Sequence, residues 1–150
     1  MNKLSYDIIF LSKVGYIIGY KESYSTWYCY RYEIHHIRNF FDSKDLYITK
    51  RKEQLIRTKH PIESSYIINN KFQNVLDNTI ATCQYGKDNN IKNFISFIDE
   101  QYILYGISNN GYYIHVTTLF YPSKKKLKQC RGNIKFFKSN FEIKFEKYIQ

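Results

Sequence analysis

A histidine and a threonine stand two positions apart in the segment Tyr-Ile-His-Val-Thr-Thr-Leu-Phe at 113–120. β-Branched and aromatic residues dominate this segment, which predicts a strand. Successive side chains of a strand point to opposite faces, so His115 and Thr117 are expected on one face and Val116 and Thr118 on the other. An imidazole, with an unperturbed pKa of about 6.5, exchanges protons near neutral pH, and a neighbouring hydroxyl can donate to a phosphate oxygen. The pair therefore indicates phosphoester cleavage.

The string His115-Val116-Thr117, flanked by apolar residues, is similar to the His-x-Thr/Ser signature of the two-histidine (2H) phosphoesterases, which carry two such motifs on neighbouring strands. The chain resembles most the 2′,5′-phosphodiesterase domains at the C-terminal end of rotavirus capping enzymes. The resemblance implies an enzyme without metal or cofactor that degrades 2′,5′-oligoadenylate and so blocks activation of RNase L. It also implies action in the cytoplasm of the infected cell, or within the virion as part of a capping enzyme.

The resemblance requires a second histidine upstream. In viral members the two histidines are separated by about the distance between His35 and His115, so spacing favours His35. Neither upstream histidine has Ser or Thr two positions later, because Ile37 follows His35 and Arg38 follows His36 at that spacing. Arg38 would share a strand face with His36 and could bind phosphate through its permanent charge, which favours His36. Both histidines stay candidates for the catalytic role.

The resemblance also implies how the candidate residues act. One histidine is the general base on the attacking hydroxyl and the other donates a proton to the leaving oxygen, which gives a bell-shaped pH profile. Thr117 and Arg38 are expected to bind phosphate. Adenine rings would stack on aromatic side chains near the cleft, for which the candidates are Tyr105 and Phe120, with Tyr28 and Tyr30 as further choices.

Charge and composition favour a polyanionic partner. Lysine and arginine number 23 against 13 aspartate and glutamate, a formal net charge of +10, which attracts nucleic acid or phosphorylated ligands. A bias toward residues with AT-rich codons also raises the lysine content, so charge alone leaves this interpretation open. Cys29, Cys83 and Cys130 form no C-x-x-C pair and are interpreted as structural thiols. No apolar run approaches the roughly 20 residues of a membrane-spanning helix, so no membrane partner is expected.

The sequence pattern predicts mostly strands. The hairpin formed by 101–107 and 112–121, with Ser-Asn-Asn-Gly between its strands, is the clearest local signal. Helices are predicted from Pro61 to before Gly86 and across Ile91, Phe94, Ile95 and Ile98, and a basic loop at 124–128. The other predicted strands are 7–11, 14–20, 26–38, a short one at 46–48 inside a basic connection, 133–137 and 141–148.

These elements sum to an α+β fold. It comprises an antiparallel sheet of six to eight strands and about two helices, in the manner of a 2H phosphoesterase. No linker or repeat divides the chain, so residues 1–150 are expected to form a single domain. By the resemblance, this domain is the C-terminal part of a longer viral protein.

Two other functions remain open. The chain could be a non-enzymatic, basic RNA- or nucleotide-binding module, because a decayed phosphoesterase with a degenerate first motif would retain only binding. It could also be a small RNA-cleaving toxin that uses the same histidines on a different substrate.

Overall fold

The computed structural model describes residues 16–23, 26–34, 37–41, 46–68, 71–87, 90–109 and 114–150, with the backbone alone at 16–31, 67 and 68. The strands are β1 Tyr16–Ser23, β2 Thr26–Tyr32, β3 Leu46–Thr49, β4 Thr79–Cys83, β5 Ile91–Ile98, β6 Gln101–Ser108, β7 Ile114–Phe120 and β8 Ile134–Phe136. The α-helices are α1 Lys50–Lys59, α2 Ser65–Ile68, α3 Phe72–Asp77, α4 Lys124–Cys130 and α5 Ser139–Ile149. Short 3₁₀ helices span Arg38–Phe40 and Arg131–Asn133.

All eight described strands belong to one sheet, in the order β1-β2-β3-β7-β6-β5-β4-β8. Every neighbouring pair is antiparallel except β3 and β7, which run parallel. The α+β class is therefore confirmed, whereas the part of the chain that the structure describes holds five α-helices instead of about two. Among these helices none is long and apolar enough to cross a membrane.

Helices cover both faces of the sheet. We call the face toward which His115 points the His115 face, and the other the opposite face. Helices α1, α2 and α3 bury side chains such as Ile56 and Phe72 in a core on the opposite face. On the His115 face, α4 and α5 bury Leu127 and Phe145 against Leu104 of β6. Each face thus has its own apolar cluster.

The predicted helix across Ile91, Phe94, Ile95 and Ile98 is wrong, because these residues form strand β5. β5 lies between β4 and β6, and apolar residues pack on both of its faces. Adjacent Phe94 and Ile95 are therefore both buried, one in each core. A strand covered on both sides loses the alternation of polar and apolar residues and imitates a helical pattern.

The predicted long helix from Pro61 breaks into α2 and α3 and ends before β4. Residues 61–64 form a turn, and the β-branched run at Thr79–Cys83 pairs with β5 and β8. Strand pairing, which is not visible in local sequence, thus ends the helical stretch at Asp77.

Two C-terminal predictions are also wrong. The basic run at 124–128 is helix α4, because the Ser123 hydroxyl accepts a hydrogen bond from the amide of Lys126 (3.1 Å) and Leu127 packs inward. The stretch 141–148, predicted as a strand, is part of α5, which buries Phe145 and Ile149 four residues apart. Only helical spacing brings that pair to one face while Ile143 stays exposed.

The remaining predictions vary in outcome. β6, β7, β8 and β3 are confirmed, but the basic connection after β3 is helix α1, capped by the Thr49 hydroxyl, which accepts from the Lys52 amide (3.2 Å). β1 covers most of the strand predicted at 14–20, and β2 ends at Tyr32, well short of residue 38. The strand predicted at 7–11 lies outside the described residues, as do residues 110–113 of the hairpin.

Candidate functional site

His115 is the second residue of β7, near the middle of the sheet. Its backbone pairs with Tyr47 of β3 on one side and with Ser108 of β6 on the other. The residue is half-buried and its Nδ1 atom has no contact with solvent. Tyr47, beside it on the same face, is buried as well. The imidazole is thus held between two strands that carry polar side chains.

A bulge in β7 determines where Thr117 lies. Val116 pairs with Ile107 but Thr118 pairs with Gly106, so Thr117 is the extra residue. Its Oγ1 atom lies 3.0 Å, and Thr118 Cγ2 3.1 Å, from the position that a Cβ of Gly106 would occupy. His115 and Thr117 share a face as the sequence predicts. The expectation that Thr118 points away is wrong, because the bulge interrupts the alternation.

Gly106 lets three side chains approach the backbone closely on the His115 face, and we call the position that a side chain of residue 106 would occupy the Gly106 gap. Its walls are Thr117, Thr118 and Asn93 of β5, whose Oδ1 atom lies 2.8 Å from the position of the absent Cβ. A hydrogen bond from Asn93 Nδ2 to the carbonyl of Tyr85 (2.9 Å) orients this amide. Any larger residue at position 106 would collide with these groups. Glycine inside a strand is the sequence signal that indicates such an approach, and sequence reasoning did not use it.

The hydroxyl of Thr117 borders the gap without a hydrogen bond. Its oxygen is buried and has no partner among the described residues. A buried polar group without a partner costs about 1–3 kcal/mol, so native structures seldom retain one unless a ligand or water satisfies it. An unsatisfied donor therefore lies on the same face of the sheet as the imidazole.

Phe120 lies at the far end of β7 on the same face, half-buried. The ring of His60 stacks on it at 5.5 Å between centroids, and Lys126 Nζ lies 5.8 Å from its centre. Lys126 also donates to the hydroxyl of Tyr85 (2.7 Å). His60 and Lys126, which sequence reasoning left out of the site, thus contact the side chain that was predicted to stack on a base.

Tyr105 is not available for stacking. It follows the opposite face, where it is completely buried against Phe72 and Phe94. Its hydroxyl forms a 2.7 Å hydrogen bond with Thr79 Oγ1, and burial raises its pKa. The predicted role of Tyr105 in substrate binding is therefore wrong: alternation along β6 turns it away from His115.

Arg38 also lies apart from the predicted arrangement. It begins a 3₁₀ helix and is exposed. Two residues later, Phe40 packs edge-on against Phe94, which belongs to the opposite face. The predicted strand 26–38 ends at Tyr32, so the placement of Arg38 in a strand is wrong.

His35 and His36 lie outside the described residues, so their predicted roles stay predictions. The described neighbours on either side, Ile34 and Ile37, are buried in the core of the opposite face, and the Ile37 amide donates to the Ile34 carbonyl (3.1 Å). Tyr28 and Tyr30 belong to β2, of which the structure describes only the backbone at these positions.

The described side chains include no group of three or more His, Cys, Asp or Glu residues that could hold a metal ion. Comparison of the chain with protein-family models, with curated proteins and with solved structures finds no match.

Proposed function

We propose that this chain is a metal-independent phosphodiesterase that cleaves an oligoribonucleotide at the His115 face. The observation that carries the proposal is the buried Thr117 hydroxyl, which has no hydrogen-bond partner among the described residues and lies on the same face of the sheet as His115. The substrate implied by the family resemblance is 2′,5′-oligoadenylate.

The Thr117 hydroxyl suits a phosphate oxygen. A threonine hydroxyl without a partner donates readily to an anionic acceptor, and hydrogen bonds to charged groups are about twice as strong as those between neutral groups. His115 pairs with Ser108, which is two residues from Gly106 in β6, and Gly106 pairs with Thr118 on one side and Asn93 on the other. In this arrangement Thr117 binds a non-bridging oxygen and His115 exchanges a proton with a bridging or attacking oxygen.

The second proton-transfer group in this proposal is His36 or His35. Tyr32 of β2 pairs with Leu46 of β3, which pairs with Ile114 of β7. Strands are about 4.8 Å apart, so Tyr32 and Ile114 are separated by about 10 Å. Tyr32, which precedes the upstream histidines in the sequence, thus lies at the end of the sheet where β7 begins, which supports the assignment of one of them to this role.

The chemical step balances without a co-reactant. In a 2′,5′ linkage, the vicinal 3′-hydroxyl loses its proton to one histidine and attacks phosphorus. The bond from phosphorus to the 5′-oxygen breaks, and the other histidine, protonated at the start, donates to that oxygen. The products are a 2′,3′-cyclic phosphate and a free 5′-hydroxyl. Because one imidazole must be neutral and the other charged, kcat/KM should pass through a maximum with pH.

Turnover of oligoadenylates by the purified chain in EDTA tests the proposal. We expect degradation of the 2′,5′-linked oligomer, little degradation of the 3′,5′-linked oligomer, and loss of turnover in His115→Ala. Thr117→Ala should lower turnover more than Thr118→Ala, its matched control. Both residues lie at the same bulge, but only Thr117 carries the unpartnered hydroxyl. Full activity in a folded His115→Ala variant would exclude the proposal.

A non-catalytic RNA- or nucleotide-binding module is the second candidate. The burial of Ile34 and Ile37 on the opposite face favours it, since the upstream histidines lie between two residues whose side chains pack away from His115. This candidate predicts salt-dependent binding of oligoribonucleotides that remain intact after long incubation. The third alternative is a small RNA-cleaving toxin. It predicts cleavage of transfer RNA offered beside the oligoadenylate, which distinguishes it from the other two candidates.

A further inference from the structure

A groove of about 430 Å³ lies where β4 ends and β5 and β8 begin. Its lining includes Phe40, Thr82, Lys92 and Lys135, with Gly86 and Gly132 at its margin. We propose that this groove, which we call the Lys92–Lys135 groove, binds a nucleotide, with its phosphate on the two lysines and its base on Phe40, the groove-lining member of an aromatic pair with Phe137.

The strand register gathers the cationic side chains on one face. Thr82 pairs with Phe94 on one side and with Lys135 on the other, and Lys92 precedes Phe94 by two residues in β5. All four therefore point to the opposite face. Both lysines are exposed, and within the described ranges neither ammonium group is paired with a carboxylate. The described lining contains no acidic residue.

Two lysines so placed suit a phosphate. Their backbones are two strands and two residues apart, and a lysine side chain is long enough for both ammonium groups to converge on one anion between them. The Thr82 hydroxyl, between them on β4, adds a neutral donor. Each ammonium group offers three donors and no acceptor, which selects for an anion.

The aromatic pair lies beside the lysines. Phe40 and Phe137 are 37% and 38% exposed, and their rings stack with centroids 6.4 Å apart and planes inclined by 18°. Phe40 is held from below by Phe94, whose buried ring meets it edge-on at 5.5 Å. Large aromatic side chains that are exposed and yet rigidly supported are a usual platform for nucleobases, which stack on them irrespective of base identity.

The size of the groove fits this ligand. Pockets for small molecules have volumes of about 300–1,000 Å³, and a nucleoside monophosphate occupies the lower part of that range. The Lys92, Lys135 and Thr82 side chains of the groove point to the face of the sheet away from His115, whereas Asn93 lines both the groove and the Gly106 gap. Nucleotide binding here is therefore a second activity that does not depend on catalysis at His115.

Titration of the full chain, observed through backbone amide resonances, tests the proposal. The probes are adenosine monophosphate and inorganic phosphate. We expect saturable shifts of the Gly86 and Gly132 amides with both, and an affinity for the nucleotide at least about tenfold higher, because only the nucleotide can stack. Absence of saturable shifts at these glycines, or equal affinity for the two probes, would overturn the proposal.

Variants distinguish a built site from general attraction by a basic protein. Lys92→Gln combined with Lys135→Gln should weaken both probes by about tenfold or more, because two charge-assisted contacts are lost. Lys59→Gln combined with Lys147→Gln removes the same charge from exposed positions on α1 and α5 and should change affinity by less than about twofold. Equal losses in the two double variants would contradict a specific site.

The base contact has its own test. Phe40→Leu should weaken adenosine monophosphate while leaving inorganic phosphate unchanged, and an equal loss for both would contradict stacking. A short oligoadenylate titrated in parallel identifies the source of the nucleotide. Tighter binding of the oligomer than of the monophosphate assigns the groove to a nucleotide within RNA, and equal binding assigns it to the free nucleotide.

Discussion

At the scale of the residue, threonine hydroxyls on the two faces of the sheet differ in their partners. Thr117 Oγ1 is buried on the His115 face without a hydrogen bond among the described residues. Thr79 Oγ1 is buried on the other side and bonds to the Leu76 carbonyl and the Tyr105 hydroxyl, both at 2.7 Å. The first hydroxyl has no partner among the described residues, whereas the second is hydrogen-bonded within the core.

This difference predicts that replacement by valine affects stability differently at the two threonines. Thr79→Val should lower the free energy of unfolding by about 1–3 kcal/mol, because it leaves two buried polar groups unpaired. Thr117→Val should leave the free energy of unfolding unchanged or raise it by up to about 1–3 kcal/mol, since no hydrogen bond is lost and an unpaired buried hydroxyl is removed. Turnover of the oligoadenylate should fall by about tenfold or more.

Urea unfolding of both variants, with turnover measured on the same preparations, gives the comparison. If Thr117→Val proves as destabilising as Thr79→Val, the Thr117 hydroxyl has a structural partner and the Gly106 gap is not a ligand site.

At the scale of the element, α4 packs on the sheet through buried cysteine and leucine side chains. Cys130 at its end contacts Cys83 at the end of β4, and Leu127 is buried beside them. Burial raises the pKa of the Cys83 thiol to about 12, and the neighbouring Cys130 adds to the effect. The thiol is therefore protonated, and unreactive toward electrophiles, at any physiological pH.

The raised pKa of Cys83 has a defined sign for stability. An unfolded thiol ionises from its ordinary value of 9.0, but the folded one stays protonated up to about 12. The unfolded chain thus binds fewer protons in this window, and stability falls as pH rises from about 9 to 12. We expect native Cys83 to resist iodoacetamide at pH 8.5 and to react in urea, as measured by mass spectrometry of its peptide. Equal rates in both states would contradict the burial of this thiol.

The same scale explains which elements the sequence predicts correctly. The hairpin strands β6 and β7 carry alternation and turn residues in one continuous stretch, and both strands are found as predicted. β5 and α5 are assigned wrongly, because their type depends on what covers them: β5 is packed on both faces, and α5 on one. Local periodicity does not report how many faces of an element are buried.

At the scale of the whole molecule, the side chains that carry the two proposed sites point to opposite faces of the sheet. His115 and Thr117 are on one face, and Lys92, Lys135 and Thr82 of the groove are on the other. A ligand that binds only the folded chain raises its stability by mass action, by about 2.7 kcal/mol at one hundred times the dissociation constant. A variant that lacks one of the two sites therefore shows which site the stabilising ligand occupies.

We expect adenosine monophosphate to raise the thermal midpoint of His115→Ala by the same several degrees as that of the parent chain, because the groove does not include His115. Differential scanning calorimetry measures the two shifts. A shift that disappears in His115→Ala would assign the nucleotide to the His115 face and contradict binding in the groove.

The sequence by itself determined the α+β class, the hairpin and the common face of His115 and Thr117, because chain alternation decides where a side chain points relative to its own neighbours. Only the tertiary structure decided that Tyr105 is buried, that Arg38 begins a 3₁₀ helix, and that the Asn93 side chain approaches Gly106 closely. The same is true of Lys92, Lys135 and Phe40, which come from distant segments. Proximity between segments follows from the order of strands in the sheet, and that order is set by the packing of the whole chain.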